Sequence, residues 1–214
     1  MTPDDFDGSS MYYDPRLNNH NLPRDPFLAT VIPRPIGWIS TIGANGIVNL
    51  APYSCFNAVS TQPPPFVMFA SFGRKDSLRN AEETGEFVAS MATFELRNEV
   101  NTTSAVVGPE VSEVDLAGLE MTPSIAVRPP RVKRSPIAHE CKYIKTVTLE
   151  DTEGQRQAGA IVIGQVVGIY IDNALLVDGL VDVSKVRPIA RLGYMDYTFV
   201  ENTFRMVRPQ GAPS

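Results

Sequence analysis

Two stretches of alternating apolar residues, PIGWISTI (35–42) and IVNLAPYS (47–54), flank Gly43-Ala44-Asn45-Gly46. An Asn-Gly pair between such stretches supplies the positive-φ positions of a tight hairpin, so this part of the chain is committed to antiparallel β structure. PPPFVMFAS follows as a nearly continuous apolar run with its prolines confined to the entry, which predicts a buried strand. CKYIKTVTLED and AGAIVIGQVVGIYI predict two more, joined by a turn at Glu153-Gly154. With few helices and no alternating strand–helix rhythm, six or seven strands point to a closed or nearly closed antiparallel barrel with helical excursions. The interior of so small a barrel is filled by side chains, so a ligand has to lie at a mouth, in an outer groove or between subunits.

The excursions have their own signals. In GRKDSLRNAEETGEFVASM, Asp76 or Ser77 can cap a helix that runs through Leu78, Ala81 and Glu83 and stops at Gly85, after which EFVASM resumes as a strand. Residues 94–107 read as helical, and Ser112-x-x-Asp115 opens a short helix in VSEVDLAGL. Residues 121–136 are proline-rich and read as irregular. Residues 1–25 form a polar, proline-punctuated arm expected to wrap the body or a partner, 26–208 the domain itself, and 209–214 a tail.

Composition narrows the function classes. In 214 residues, 43% apolar content supports one substantial core. Acidic residues outnumber basic ones, 24 to 19, which disfavours a sequence-independent grip on nucleic acid or on an anionic membrane. The start carries early acids and no apolar signal region, and no run approaches a bilayer span, so a cytoplasmic protein acting on small molecules is expected. Cys55 and Cys141 lack any C-x-x-C partner and read as reduced core thiols. His20 and His139 have no metal-site spacing, and no Ser-His-Asp set or carboxylate pair marks a catalytic centre.

Two polar features stand out. Ser40, Thr41, Asn49, Ser54 and Asn57 interrupt the first hairpin's apolar pattern. They suit either an uncharged ligand rich in donors and acceptors or a water-facing edge. Arg74-Lys75-Asp76-Ser77 puts cations and a hydroxyl at a helix start, the make-up of a phosphate site or of an ordinary solvated cap.

The run RPIGWIST, NGIVNLAPYSCFN, PPPFVMFASF, KDSLRNAEETGEFVASM and, later, RPIARLGYMDY resembles the flavin reductase-like, FMN-binding split-barrel family, in particular its longer members similar to the reductase component of nitrilotriacetate monooxygenase. The resemblance covers roughly residues 25 to 208. It implies a mainly β fold, a six-stranded antiparallel Greek-key split barrel, forming a homodimer with one FMN per subunit near the dimer interface. Carried over by position, Ser40, Thr41 and Asn49 border the isoalloxazine ring, and Ala51, Pro52, Tyr53 and Ser54 follow the ring edge and ribityl chain. Ser71, Lys75, Asp76 and Ser77 surround the phosphate, with Asn80 as a support one turn on. Arg191 and Tyr194 are candidates to approach the flavin from the other subunit.

The implied activity is hydride transfer from NADH or NADPH to FMN, which needs stacking of two rings more than a general acid or base. The reduced flavin would go to a partner monooxygenase. Shorter members often carry a Gly-Asp-His motif where this chain reads Gly193-Tyr194-Met195-Asp196-Tyr197, without the histidine. Two alternatives follow: an FMN enzyme acting directly on a small organic substrate, with segment 94–136 shaping the pocket and Trp38 or Tyr53 stacking on the substrate, or a flavoredoxin-like electron carrier. Arg34, Arg187 and Arg191 read as nucleotide-phosphate or interface contacts.

Overall fold

A computed structural model describes residues 10–108, 110–207 and 209. After an irregular arm come α1 (Phe27–Thr30), β1 (Arg34–Pro35), the hairpin β2 (Gly37–Ile42) and β3 (Val48–Tyr53), then the hairpin β4 (Phe56–Ser60) and β5 (Phe66–Phe72). Helix α2 (Asp76–Thr84) leads into β6 (Glu86–Met91). The excursion that follows holds α3 (Arg97–Thr102), α4 (Glu113–Leu116) and the short paired strands β7 (Met121–Thr122) and β8 (Arg131–Val132). The long hairpin β9 (Ile137–Glu150) and β10 (Arg156–Ile171) precedes β11 (Leu176–Val177), β12 (Leu180–Val181), α5 (Val183–Val186), β13 (Ile189–Arg191) and β14 (Tyr197–Phe199).

Seven strands form the main sheet in the order β3-β2-β6-β9-β10-β5-β4, every pair antiparallel. The short β4 adds one strand to the six that the resemblance implies. Its two edges, β3 and β4, are joined in the chain by Ser54 and Cys55 alone. Laid flat, those edges would stand about 29 Å apart, whereas two linking residues reach only about 10 Å. The sheet therefore has to roll up. Its edges approach without pairing to each other, which leaves a split between them.

Strand alternation gives the β2–β3 pair two buried faces. One carries Ile39 and Tyr53 into the barrel interior with Phe69, Phe87 and Val162, where Phe69 meets Tyr53 at 4.8 Å and Phe87 edge-on at 5.4 Å between ring centroids. Helix α2 plugs this interior with Leu78 and Ala81 and ends at Gly85, whose φ of 75° takes the left-handed cap the sequence predicts. The other face carries Trp38 and Leu50 under Leu96, Val100, Val114 and Val132, so the excursion after β6 roofs the outside of the hairpin. Trp38 is fully buried and its Nε1 donates to Thr103 Oγ1 at 2.8 Å. It is core, and stacks on no substrate.

Several local expectations change. In the first turn Gly46 alone has positive φ (81°), while the Asn45 side chain accepts from the Ile47 N–H at 3.1 Å. The capping residue of α2 is Lys75, with no side-chain cap; Asp76 is already helical. Residues 94–107 hold only a 3-10 turn and one short helix, and 121–136 contain the paired β7 and β8. Ser112 does cap α4, accepting from the Asp115 N–H at 3.3 Å. Cys141 is buried as expected, but Cys55 is exposed. His20 is buried in the arm, edge-on to Tyr13. Among the described residues no helix is long and apolar enough to cross a membrane.

Candidate functional site

The predicted site residues fall into two regions joined by β3. The first lies under α2. Thr41 and Asn49 are cross-strand partners on one face of the hairpin, and both are buried. Asn49 Nδ2 donates to Ser77 Oγ at 2.8 Å, and Asn80 Nδ2 donates to Thr41 Oγ1 at 3.1 Å. These two bonds clamp the helix to the hairpin, and because burial removes competing water, each group needs its partner. Ser40 faces the opposite side, fully buried, with its hydroxyl donating to the Pro130 carbonyl at 2.5 Å. The side chains of Ser40 and Thr41 therefore cannot meet on one ligand face. Ala51 sits half-buried between Asn49 and Tyr53.

Above this network, the start of α2 is open. Its first N–H groups receive no side-chain cap, and Lys75 beside them is exposed and forms no ion pair among the described residues. Asp76 is engaged by Arg79 one turn on. Ser71 donates to the Gly73 carbonyl at 2.9 Å, shaping the loop that delivers Lys75. The Tyr53 hydroxyl is buried without a hydrogen-bond partner. Burial pushes its phenol pKa up, against the pull of the neighbouring Ser77 and Ser71 hydroxyls.

Glu113 was not foreseen from the sequence. It is buried beside Asn49, Asp76 and Asn80, accepts from the Leu50 N–H of the edge strand at 3.3 Å, and has its pKa raised by loss of hydration. No periodicity marks such a residue; only its carboxylate meeting an edge-strand N–H in three dimensions does.

The second region is a cavity of about 500 Å³. Pro52 and Ser54 line it from the end of β3, Arg34 and Ile36 from around β1, Arg191 and Tyr194 from β13 and the turn after it, and Tyr197 from the start of β14. Asn101 and Ser104 reach it from the 94–136 segment. The cavity lies in the range typical of small-molecule sites. Arg191 and Tyr194 thus join Pro52 and Ser54 within one chain. Asn49, which touches the first turn of α2, and Pro52 on the cavity wall are three residues apart on β3, about 10 Å by strand geometry.

Comparisons with known proteins identify the family and the fold. The flavin reductase-like domain family matches residues 29–190. An uncharacterised protein of Aquifex aeolicus is 37% identical over 171 residues, spanning 78% of this chain and 84% of that one. Among solved structures, nitrilotriacetate monooxygenase component B from Bacillus cereus superposes with a TM-score of 0.82 at 30% identity, covering 92% of this chain and 99% of its own. The 2-nitrobenzoate 2-nitroreductase of Pseudomonas fluorescens superposes with a TM-score of 0.76 at 29% identity, covering 88% and 91%.

Proposed function

The chain belongs to the flavin reductase-like family, and from that premise we propose that it binds FMN and reduces it with NADH or NADPH. The observation that carries the reading is the uncapped start of α2 with the exposed Lys75 beside it, connected by β3 to a ligand-sized cavity. Oriented N–H groups and an ammonium suit a terminal phosphate. The orphaned Tyr53 hydroxyl among Ser71 and Ser77 offers a further donor on that side. Residues fit the group: Lys75 and the α2 N–H groups would hold the phosphate, and Pro52 and Ser54 would border the ring. Thr41, Asn49, Ser77 and Asn80 hold helix to hairpin from beneath, and Asp76 is neutralised by Arg79.

Bound FMN supplies the capacity to accept a hydride and pass electrons on. What the chain contributes is placement. The buried clamp keeps the start of α2 at a fixed distance from the cavity, and the roof over Trp38 keeps water from the back of the hairpin. The partners expected are a second copy of the chain and a monooxygenase that receives the reduced flavin. Exposed apolar side chains along β4, β5, β9 and β10, namely Val59, Phe72, Ile144, Val147 and Ile169, support a homodimer face.

Anaerobic stopped-flow of FMN-loaded protein with NADH and with NADPH tests the activity. Bleaching of the flavin band by either establishes the reductase. A flavin that stays oxidised with both, yet bleaches with dithionite, removes it. A second reading, direct action on a small organic substrate beside the flavin, is favoured by the two arginines, Arg34 and Arg191, that the cavity wall carries in addition to Pro52 and Ser54. Turnover of an organic acceptor without added oxygenase would select it.

A further inference from the structure

Arg34 and Arg191 are an unusual pair. They face each other directly across the β1–β13 ladder, where like charges repel. Neither forms an ion pair with a carboxylate among the described residues. Arg34 is 6% exposed, and its terminal nitrogens donate to the carbonyls of Leu28, Val31 (2.7 Å) and Leu192 (2.9 Å) while its Nε–H is buried with no partner. Arg191 donates to the Tyr197 hydroxyl and the Tyr194 carbonyl and lies over the Tyr197 ring at 4.4 Å. All these acceptors are neutral. Two arginines paired across one ladder and lining one cavity, one of them almost fully desolvated, carry a charge that no carboxylate among the described residues pairs with and that folding alone does not account for.

We infer that the Arg34–Arg191 pair is the anion subsite of this cavity and binds the carboxylate of a small aromatic acid. The planar fork of arginine matches a carboxylate. The remaining wall supplies Ile36, Pro52 and the rings of Tyr194 and Tyr197, an apolar slot for a ring. Asp25 on the same cavity, whose carboxylate accepts from the Phe27 N–H at 2.9 Å, leaves a net charge near +1 from the three groups. That balance suits a monoanionic carboxylate better than a dianionic phosphate. The assignment rests on the flavin reading only in making the bound acid a neighbour of the ring; the subsite itself is protein.

Titration calorimetry with benzoate and its neutral isostere benzamide, on the protein as purified and with FMN content measured separately, tests it. Benzoate is expected to bind at least about tenfold more tightly than benzamide, the worth of one charge-assisted hydrogen bond. Arg191→Gln should abolish that preference while its thermal melting stays near wild type, and Arg34→Lys, which keeps the charge but loses the fork, should weaken it. Equal binding of the two compounds, or none, overturns the subsite. So does displacement of benzoate by inorganic phosphate at lower concentration, which marks a phosphate site. Benzoate preference in protein that fails to bind added FMN leaves the subsite standing and removes the flavin reading; FMN binding without benzoate preference does the reverse.

Discussion

The network under α2 and the cavity at β1–β13 are both polar, yet they solve opposite problems. Beneath the helix, Thr41, Asn49, Ser77 and Asn80 satisfy one another, and among the described residues there the Tyr53 hydroxyl is left as the orphan. At the cavity, two cations meet neutral acceptors and keep their charge. The difference teaches that polarity in this sequence serves two ends: paired groups fasten elements together, and cations left without a charge partner line a cavity of ligand size. The sequence pattern alone treats both as interruptions in an apolar hairpin.

Breaking the clamp should have the largest effect. Asn49→Ala leaves the buried Ser77 hydroxyl without its donor, and a loss of about 1–3 kcal/mol is expected in denaturant unfolding, with FMN affinity falling as a secondary result. Lys75→Ala separates the regions from the other side. FMN should dissociate about tenfold more readily in flavin-fluorescence titration while stability without flavin stays within about 0.5 kcal/mol, since Lys75 is exposed and fastens nothing.

Glu113 sharpens the comparison through pH. Its pKa is raised in the folded state by burial, so the sign is fixed: its stabilising contribution is complete below the ordinary glutamate range and is lost as pH rises through the raised folded value. Glu113→Gln should match wild type in melting temperature at acid pH and exceed it at neutral pH. A variant that melts below wild type at neutral pH would show that the charged carboxylate is needed at the Leu50 N–H. The smallest effect concerns Tyr53→Phe. Removing an unbonded buried hydroxyl should change flavin-free stability by less than about 1 kcal/mol, in either direction. A drop in FMN affinity in that variant would place the hydroxyl on the phosphate side.

Much of the barrel was legible because its signals are local. The first hairpin, β5, the helix ending at Gly85 and the β9–β10 pair each announce themselves by period, proline placement or a turn residue. β4 did not, because its five residues are mostly exposed and its pairing slips at Ala58–Ser60, so no alternation survives. The site was legible in its membership more than in its geometry. Ser40 and Thr41 are adjacent in the chain and so point apart, a consequence of strand alternation that motif carry-over ignores. Arg34 was invisible as a buried residue, because its burial depends on carbonyls from α1 and from Leu192 that no local pattern brings near.

That last contact has a consequence for timing. The bond from Arg34 to the Leu192 carbonyl spans 158 residues. During synthesis at about 5–20 residues per second, the first hairpin and the α2 clamp emerge many seconds before residue 191 does. For that interval a nascent chain can already fasten helix to hairpin while one wall of the cavity does not yet exist. Ligand capture of the kind proposed for the Arg34–Arg191 pair would therefore be an event of the nearly finished chain, and a molecule binding there would report on completion of the polypeptide.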